Sequence, residues 1–564
     1  MLIDDHILEK FNREDKRLLC RSDHNKMIFK PLENLEFNDY VLLISTLLMT
    51  YVAHYYYNYF TRVNPLPGPF PFPLIGNLPQ IYWKFNGDVQ MFYNYCYEKY
   101  GNIHEIYDSD RSIVLCRREY LENILSPSEK NVHWRRFDNS IKPEEFGTEG
   151  KGILFNNNFR SWIFNRQFFS QAILSPKFTD EAIDWTNKLF DELESYWDKL
   201  FLKEEVIKEN KVQLDFSGWF NNYTNDIIIS LLTGEKSYSM AAYFDTLSDE
   251  KSQSVMINDS VKLAQALHKQ LLWISFFLFI PSFLRHYIPF FKNKANDMLN
   301  NMGFLNQRLD AIIKRRRNEI DNTSLDESLP HDMLTSMIIK NTPRDENYFE
   351  TGEANRSMTD SEIRVNLLEG IIAGTYKPTN MFLFIIYYIA HNPEVKEKML
   401  EEIDSIFQDD KMRPITKDDY YSLKYCEAIV KELARVLPVI PTFPRCTDKP
   451  DKIAGYQWPA DTTFLINVKA IHNNEDYWEE PNKFNPDRWM DENFEPKKNS
   501  FIMFGGGLRL CPGNKLAMIE LVCLITLLFR KYEINLVDMN FPKTIGIGIT
   551  VFCVEFLVEI KLRN

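Results

Sequence analysis

Ten residues, Phe504 to Gly513, read F-G-G-G-L-R-L-C-P-G, and no other stretch limits so sharply what this chain can become. Gly505, Gly506, Gly507 and Gly513 permit tight backbone geometry and close approach of a flat ligand. Cys511 lies just ahead of a long apolar run that begins at Leu516. Arg509 and the peptide N–H groups at a helix start would offset negative charge on its sulfur and on the carboxylates of a ligand. A metal-bound thiolate is one outcome of this chemistry. A buried cysteine in a turn is the other, since free cysteine is among the most buried residue types.

The loop resembles, position by position, the haem-binding signature of the cytochrome P450 family, and other motifs extend the resemblance from about Pro65 to the C-terminus. It implies a mainly α fold with small β-sheets. It also implies haem b as cofactor, with Cys511 as axial thiolate, Arg509 on a propionate and Phe504 against the cofactor. Glu432-Leu-Ala-Arg435 resembles the family's E-x-x-R, whose spacing puts both charges on one helical face. Arg488, within Phe484-Asn-Pro-Asp-Arg488-Trp489, is the usual third member of that structural network. Trp162 and Arg166 match the helical W-x-x-x-R, and Arg445 follows Pro441-Thr-Phe-Pro444 on a strand. A guanidinium holds a carboxylate through parallel hydrogen bonds, so these residues suit cofactor propionates.

The central helix departs from the pattern. Glu362 to Ala390 reads as the family's long helix across the haem, and Ala373-Gly374-Thr375 opens its A-G-x-D/E-T-T/S motif. Tyr376 then replaces the acid, Lys377 the oxygen-activating threonine, and Pro378 follows, so a kink is expected. Thr379, with Thr375 behind it, is the expected replacement hydroxyl, while Lys377 turns its charge to solvent. The resemblance then implies a monooxygenase that takes electrons from NAD(P)H through a flavoprotein reductase and oxidises a lipophilic small molecule. Arg160, Arg509 and Lys515 would belong to the reductase-docking face. The alternatives are a reductase-independent isomerase or dehydratase of lipid peroxides, and a haem-binding protein without catalysis.

The rest of the 564 residues fits one large catalytic unit over 70–564. Hydrophobic content of 45%, with 42 Phe and 28 Tyr, supplies a core. Net charge of −13 and the lack of a basic aromatic module exclude a nucleic-acid role. Eight scattered cysteines form no dense disulfide framework and suit a reducing compartment. Residues 40–60 approach the roughly 20 apolar residues that span a bilayer and are expected to form a transmembrane anchor. Pro65-Leu-Pro-Gly-Pro69 resembles the stiff hinge of microsomal family members, giving a hinge over 61–69 and a catalytic domain on the cytosolic face of the endoplasmic reticulum. Residues 1–39 form a polar extension with seven Lys/Arg and nine Asp/Glu. Strands are expected at Asp110–Cys116, Thr463–Val468 and Ile549–Val554, and an apolar segment at Leu271–Ile280. Lys314–Arg317 opens a long hydrophilic loop that carries a glycosylation acceptor pattern, Asn355-Arg-Ser357.

Overall fold

A computed structural model describes residues 37–564 except 109, 138–147, 149, 175, 202–211, 249–254, 281, 325, 346–355, 409, 541, 543, 548–549 and 564. Residues 1–36, Ile549 and the acceptor Asn355 therefore lie outside the described residues. The chain divides at Pro65–Leu66 into two units, inside the stretch read as a hinge.

In the first unit, Phe37–Phe60 is a helix of 24 residues with none buried. Its length suffices to span, yet among the described residues no helix is both long and apolar enough to cross a membrane. Phe37–Phe60 thus matches the expected span over 40–60 in position and length but not in apolarity. Ser45, Thr46, Thr50, His54, Asn58 and the tyrosines dilute the aliphatic run, although Thr46 and Thr50 return their hydroxyls to carbonyls four residues back.

The second unit is built around the helix Asp360–His391. Its start is set by Thr359 and Glu362, which cap each other's main-chain N–H groups in a reciprocal box. It is helical from end to end, with Pro378 inside it. Phe216–Thr233, capped by the Asp215 carboxylate, packs alongside. Gly374 makes that approach possible, because a methyl there would stand 2.6 Å from Ile228. Helices Lys424–Val436 and Asn514–Lys531 complete the same apolar core.

Small sheets flank the helices. Strands Ile103–Tyr107, Arg111–Leu115, Thr463–Asn467 and Thr442–Cys446 form one sheet in that order, with the middle pair parallel. Thr442–Cys446 is at its edge, where Pro444 forfeits no ladder hydrogen bond. A second sheet joins Val212–Asp215, Leu557–Leu562 and Tyr532–Leu536, and Thr550–Cys553 pairs with Thr544–Ile547. Leu271–Ile280 falls largely within the helix Val255–Phe279 and contributes Leu271 and Phe277 to buried clusters. Lys314–Arg317 lies inside the helix Pro289–Asn322 rather than opening a loop. Arg315, Arg316 and Arg317 find Glu235, Asp332 and Asp360, so acids on neighbouring segments absorb the charge run.

One buried carboxyl has no such partner. Glu520, on Asn514–Lys531, is 2% exposed and its Oε1 has no hydrogen-bond partner. Burial pushes it from the usual 4.5 up to about 8. The folded protein thus keeps a proton that the unfolded chain releases, and stability falls as pH rises between those values. At pH 7 the penalty is about 3 kcal/mol, from roughly 1.4 kcal/mol per unit. Glu520→Gln should raise the thermal midpoint at pH 7 and flatten its fall between pH 5 and pH 8. An unchanged pH slope in that variant would show that Glu520 is not the source.

Candidate active site

Gly507 has φ +66, and a side chain there would strike the main chain of Leu125 and Ser126 at 2.9 Å. This forced turn carries Gly507–Arg509 as a short 3-10 helix and returns the chain so that Cys511 N–H donates to Phe504 O at 3.0 Å. The Phe504 carbonyl therefore closes the loop. Among the described residues Cys511 is the one cysteine that is not buried. The helix Asn514–Lys531 starts just beyond it.

Four arginines surround this thiol. Arg509 is 3% exposed, donating from Nε to Trp134 O at 2.8 Å, from Nη1 to Ile153 O at 2.6 Å and from Nη2 to Asn156 O at 3.0 Å. One N–H on each Nη is left for a ligand. Its burial corrects the expectation that it belongs to a surface docking patch; Arg160 is exposed and Lys515 half-buried. Trp162 donates its indole N–H to Ile153 O at 3.2 Å and lays its ring 4.3 Å beneath the Arg509 guanidinium. It acts as a shelf for Arg509, with its own donor already used. Arg166 reaches Leu510 O at 2.6 Å, and Arg445 bonds only to the neighbouring Pro444 O.

The fourth, Arg136, was not singled out in the sequence. Cys446 N–H donates to Arg135 O at 2.9 Å, which ties the Arg135–Arg136 segment to the edge strand that carries Arg445. Arg135 pairs with Asp448 and Asp461, whereas Arg136 has no hydrogen-bond or ion-pair partner among the described residues; its Nε is buried, and Glu369 is the carboxylate whose charge reaches it. Burial lowers Arg445 to about 9, with Arg136 adding to the effect, and lowers Arg166 to about 10 against the opposing pull of Cys511. Arg509 is also driven well down by burial and then by Arg136 and Arg445. Cations crowded out of water without matching acids fit a ligand that brings carboxylates of its own.

A second residue missed in the sequence is Glu369 on the central helix. Its carboxylate accepts N–H bonds from Ile153 at 2.6 Å, Leu154 at 2.8 Å and Phe155 at 3.4 Å. Gly152, at φ +80, lets the loop come this close, since a methyl there would stand 2.5 Å from the carboxylate. Burial raises Glu369 to about 7, with the three N–H bonds and Arg136 pulling the other way.

Further along the same helix, Thr375 and Thr379 both bond to main-chain carbonyls. Thr375 Oγ1 donates to Ile371 O at 2.8 Å. Thr379 Oγ1 is engaged by Thr375 O and Phe220 O, each at 3.1 Å, and by Thr224 Oγ1 at 2.8 Å. The Thr375 hydroxyl is thus engaged within its own helix and that of Thr379 also against Phe216–Thr233, so both hydroxyls expected to serve catalysis already have partners. Tyr376 turns its hydroxyl to His268 Nδ1 at 3.1 Å. Lys377, expected in solvent, points inward, and the charges that reach it are those of Cys511 and Arg136.

Glu432, Arg435 and Arg488 come together in the core. Arg435 donates from Nε and Nη2 to the two Glu432 oxygens at 3.0 and 2.8 Å, and Arg488 Nε reaches Glu432 at 3.2 Å. Trp489 Nε1 and Asn485 N also donate to Glu432, at 2.9 and 3.0 Å. The remaining Arg435 donors hold the carbonyls of His472, Pro481 and Lys483. His472 continues the frame, donating from Nδ1 to Ala434 O and accepting the Ile502 N–H on Nε2 at 2.8 Å. Burial keeps it neutral, at about 3. A line of hydrogen bonds thus runs from the E-x-x-R helix to the start of the cysteine loop.

A partly exposed thiol on a forced glycine turn, with buried arginines nearby that form no ion pair among the described residues, fits a flat anionic cofactor held through sulfur. Residues 66–552 match the family model for Cytochrome P450, and the chain belongs to that family. Members bind haem b through a cysteine thiolate and act as oxidoreductases of the monooxygenase class, and this chain is such an enzyme. It is similar to Cytochrome P450 3A17 of Cavia porcellus, 27% identical over 502 residues that cover 87% of this chain and 90% of the relative. Cytochrome P450 2U1 of Bos taurus is 27% identical over 523 residues, covering 88% and 89%. Steroid 17-alpha-hydroxylase/17,20 lyase of Mesocricetus auratus is 25% identical over 534 residues, covering 93% and 97%.

Proposed function

We propose that this chain inserts one atom of O2 into a lipophilic small molecule, with Cys511 as the axial ligand of haem b and electrons delivered from NADPH by a flavoprotein reductase. The observation that carries the reading is the set of arginines without ion-pair partners near Cys511, the one thiol among the described residues that is not buried. Arg136, Arg445, Arg166 and the free N–H groups of Arg509 hold the cofactor carboxylates, and Trp162 holds Arg509. When bound, the thiolate-ligated haem supplies oxygen activation, with donation from sulfur favouring O–O cleavage. Two electrons and two protons balance the second oxygen atom as water. A lipophilic substrate is supported by the relative named as a steroid hydroxylase and by the apolar surroundings of the central helix. Exposed Arg160 and half-buried Lys515 contribute cationic groups for an acidic reductase face.

The direct test is reconstitution with reductase and NADPH, after a screen for substrates that shift the haem spectrum. Product formation should require reductase and O2 together. Fast turnover of a lipid hydroperoxide without either would replace this reading with peroxide rearrangement.

We further place the enzyme at the endoplasmic reticulum membrane with its catalytic unit in the cytosol, attached through Phe37–Phe60. That helix exposes Leu42, Ile44, Leu47, Leu48 and Met49. Full-length protein should pellet with membranes, and deletion through Phe60 should weaken that retention. Resistance of the full chain to carbonate identifies a single-pass span; release by carbonate alone identifies a helix lying on the surface. Recovery of the full chain in the soluble fraction before extraction would rule out attachment.

A further inference from the structure

On the central helix, every polar side chain near the thiol has a partner except one. Thr375 and Thr379 bond to main chain, Tyr376 meets His268, and Asn380 donates to Tyr376 O while accepting the Cys553 N–H. Lys377 has no hydrogen-bond or acidic partner among the described residues. One turn earlier, Ala373 is exposed in the middle of an otherwise buried helix, so this stripe borders open space instead of packed protein. Lys377 is half-buried beside the same opening. The anion within its electrostatic reach is the Cys511 thiolate.

We infer that the Lys377 amine supplies a nitrogen ligand to the haem iron on the side opposite Cys511, so that the resting ferric enzyme carries an internal amine–thiolate pair. The inference rests on the haem–thiolate reading given above. Imidazole and amine nitrogens suit iron as donors, and a side chain already facing the site has no translational entropy to lose. Coordination forms one N–Fe bond, displaces solvent from iron and releases one ammonium proton to water, with no change of oxidation state. Tyr376, Thr375 and Thr379 cannot compete for iron because their hydroxyls are committed elsewhere.

Ferric holoenzyme should be compared as parent, Lys377→Ala and Lys377→Arg by absorption and electron paramagnetic resonance, with imidazole titration. The parent should show a low-spin, nitrogen-ligated spectrum with its Soret band at longer wavelength than that of either variant. Removing an internal ligand that fills the site nine-tenths of the time should tighten imidazole binding roughly tenfold. Lys377→Arg keeps the positive charge without a neutral amine, so it should behave like Lys377→Ala. It also carries the comparison if the alanine variant fails to load haem. The carbon monoxide difference band of a thiolate-bound haem should persist in all. Ferric spectra and imidazole affinities identical to the parent, with that band intact, would overturn ligation by Lys377. So would a parent-like spectrum in Lys377→Arg. Absence of the band in the parent itself would instead remove the haem–thiolate reading, and this inference with it.

Discussion

Cys511→Ala should abolish the carbon monoxide difference band of reduced protein and all reductase-supported turnover. No other described thiol can substitute. The other described cysteines are buried, and no cluster of three or more His, Cys, Asp or Glu residues suited to a metal exists among the described residues. The turn itself should survive, because the Phe504 carbonyl bonds to the main-chain N–H of residue 511 and not to its sulfur. Far-UV circular dichroism and the melting of apo-protein should therefore match the parent. An unchanged difference spectrum in haem-loaded Cys511→Ala would show that sulfur at this position is not the ligand.

Glu432→Ala should lower the yield of folded, haem-loaded protein before it alters chemistry. The carboxylate and the Arg435 guanidinium are both fully buried, and Arg488 is nearly so. Removing the acid strands two cations and leaves the indole N–H of Trp489 without its acceptor. Breaking a buried network of this kind typically costs about 3–5 kcal/mol, against less than 1 for a surface pair. Arg435 would keep its three carbonyl partners, but hydrogen bonds to neutral groups do not replace a counter-charge. Thermal melting and haem content per protein measure the loss. A fully folded, haem-replete Glu432→Ala enzyme with turnover selectively abolished would assign Glu432 to the reaction instead.

Local motifs made the cysteine loop, the E-x-x-R pair and the central helix readable in the sequence, because each is defined by residues close in the chain. The remainder depends on partners brought from far away. Arg135 and Arg136 are adjacent and chemically alike, yet acids from the segment after the edge strand neutralise only the first. Glu369 looked like one acid among many until Gly152 allowed a loop to approach it. The Thr379 hydroxyl seemed free for chemistry, but Thr224 and Phe220 of the neighbouring helix engage it. At Tyr40–Phe60 the length of a span was legible in the sequence, while tyrosines and short polar side chains keep the helix below the apolarity of a span.

The strip of chain from Ile153 to Asn156 has its N–H groups taken by Glu369 and its carbonyls by Arg509. One short peptide ribbon is therefore clamped between the central helix and the Arg509 guanidinium. Its two edges cannot slip independently. A displacement of the Glu369 turn of the central helix would therefore be carried through this ribbon to the Arg509 guanidinium.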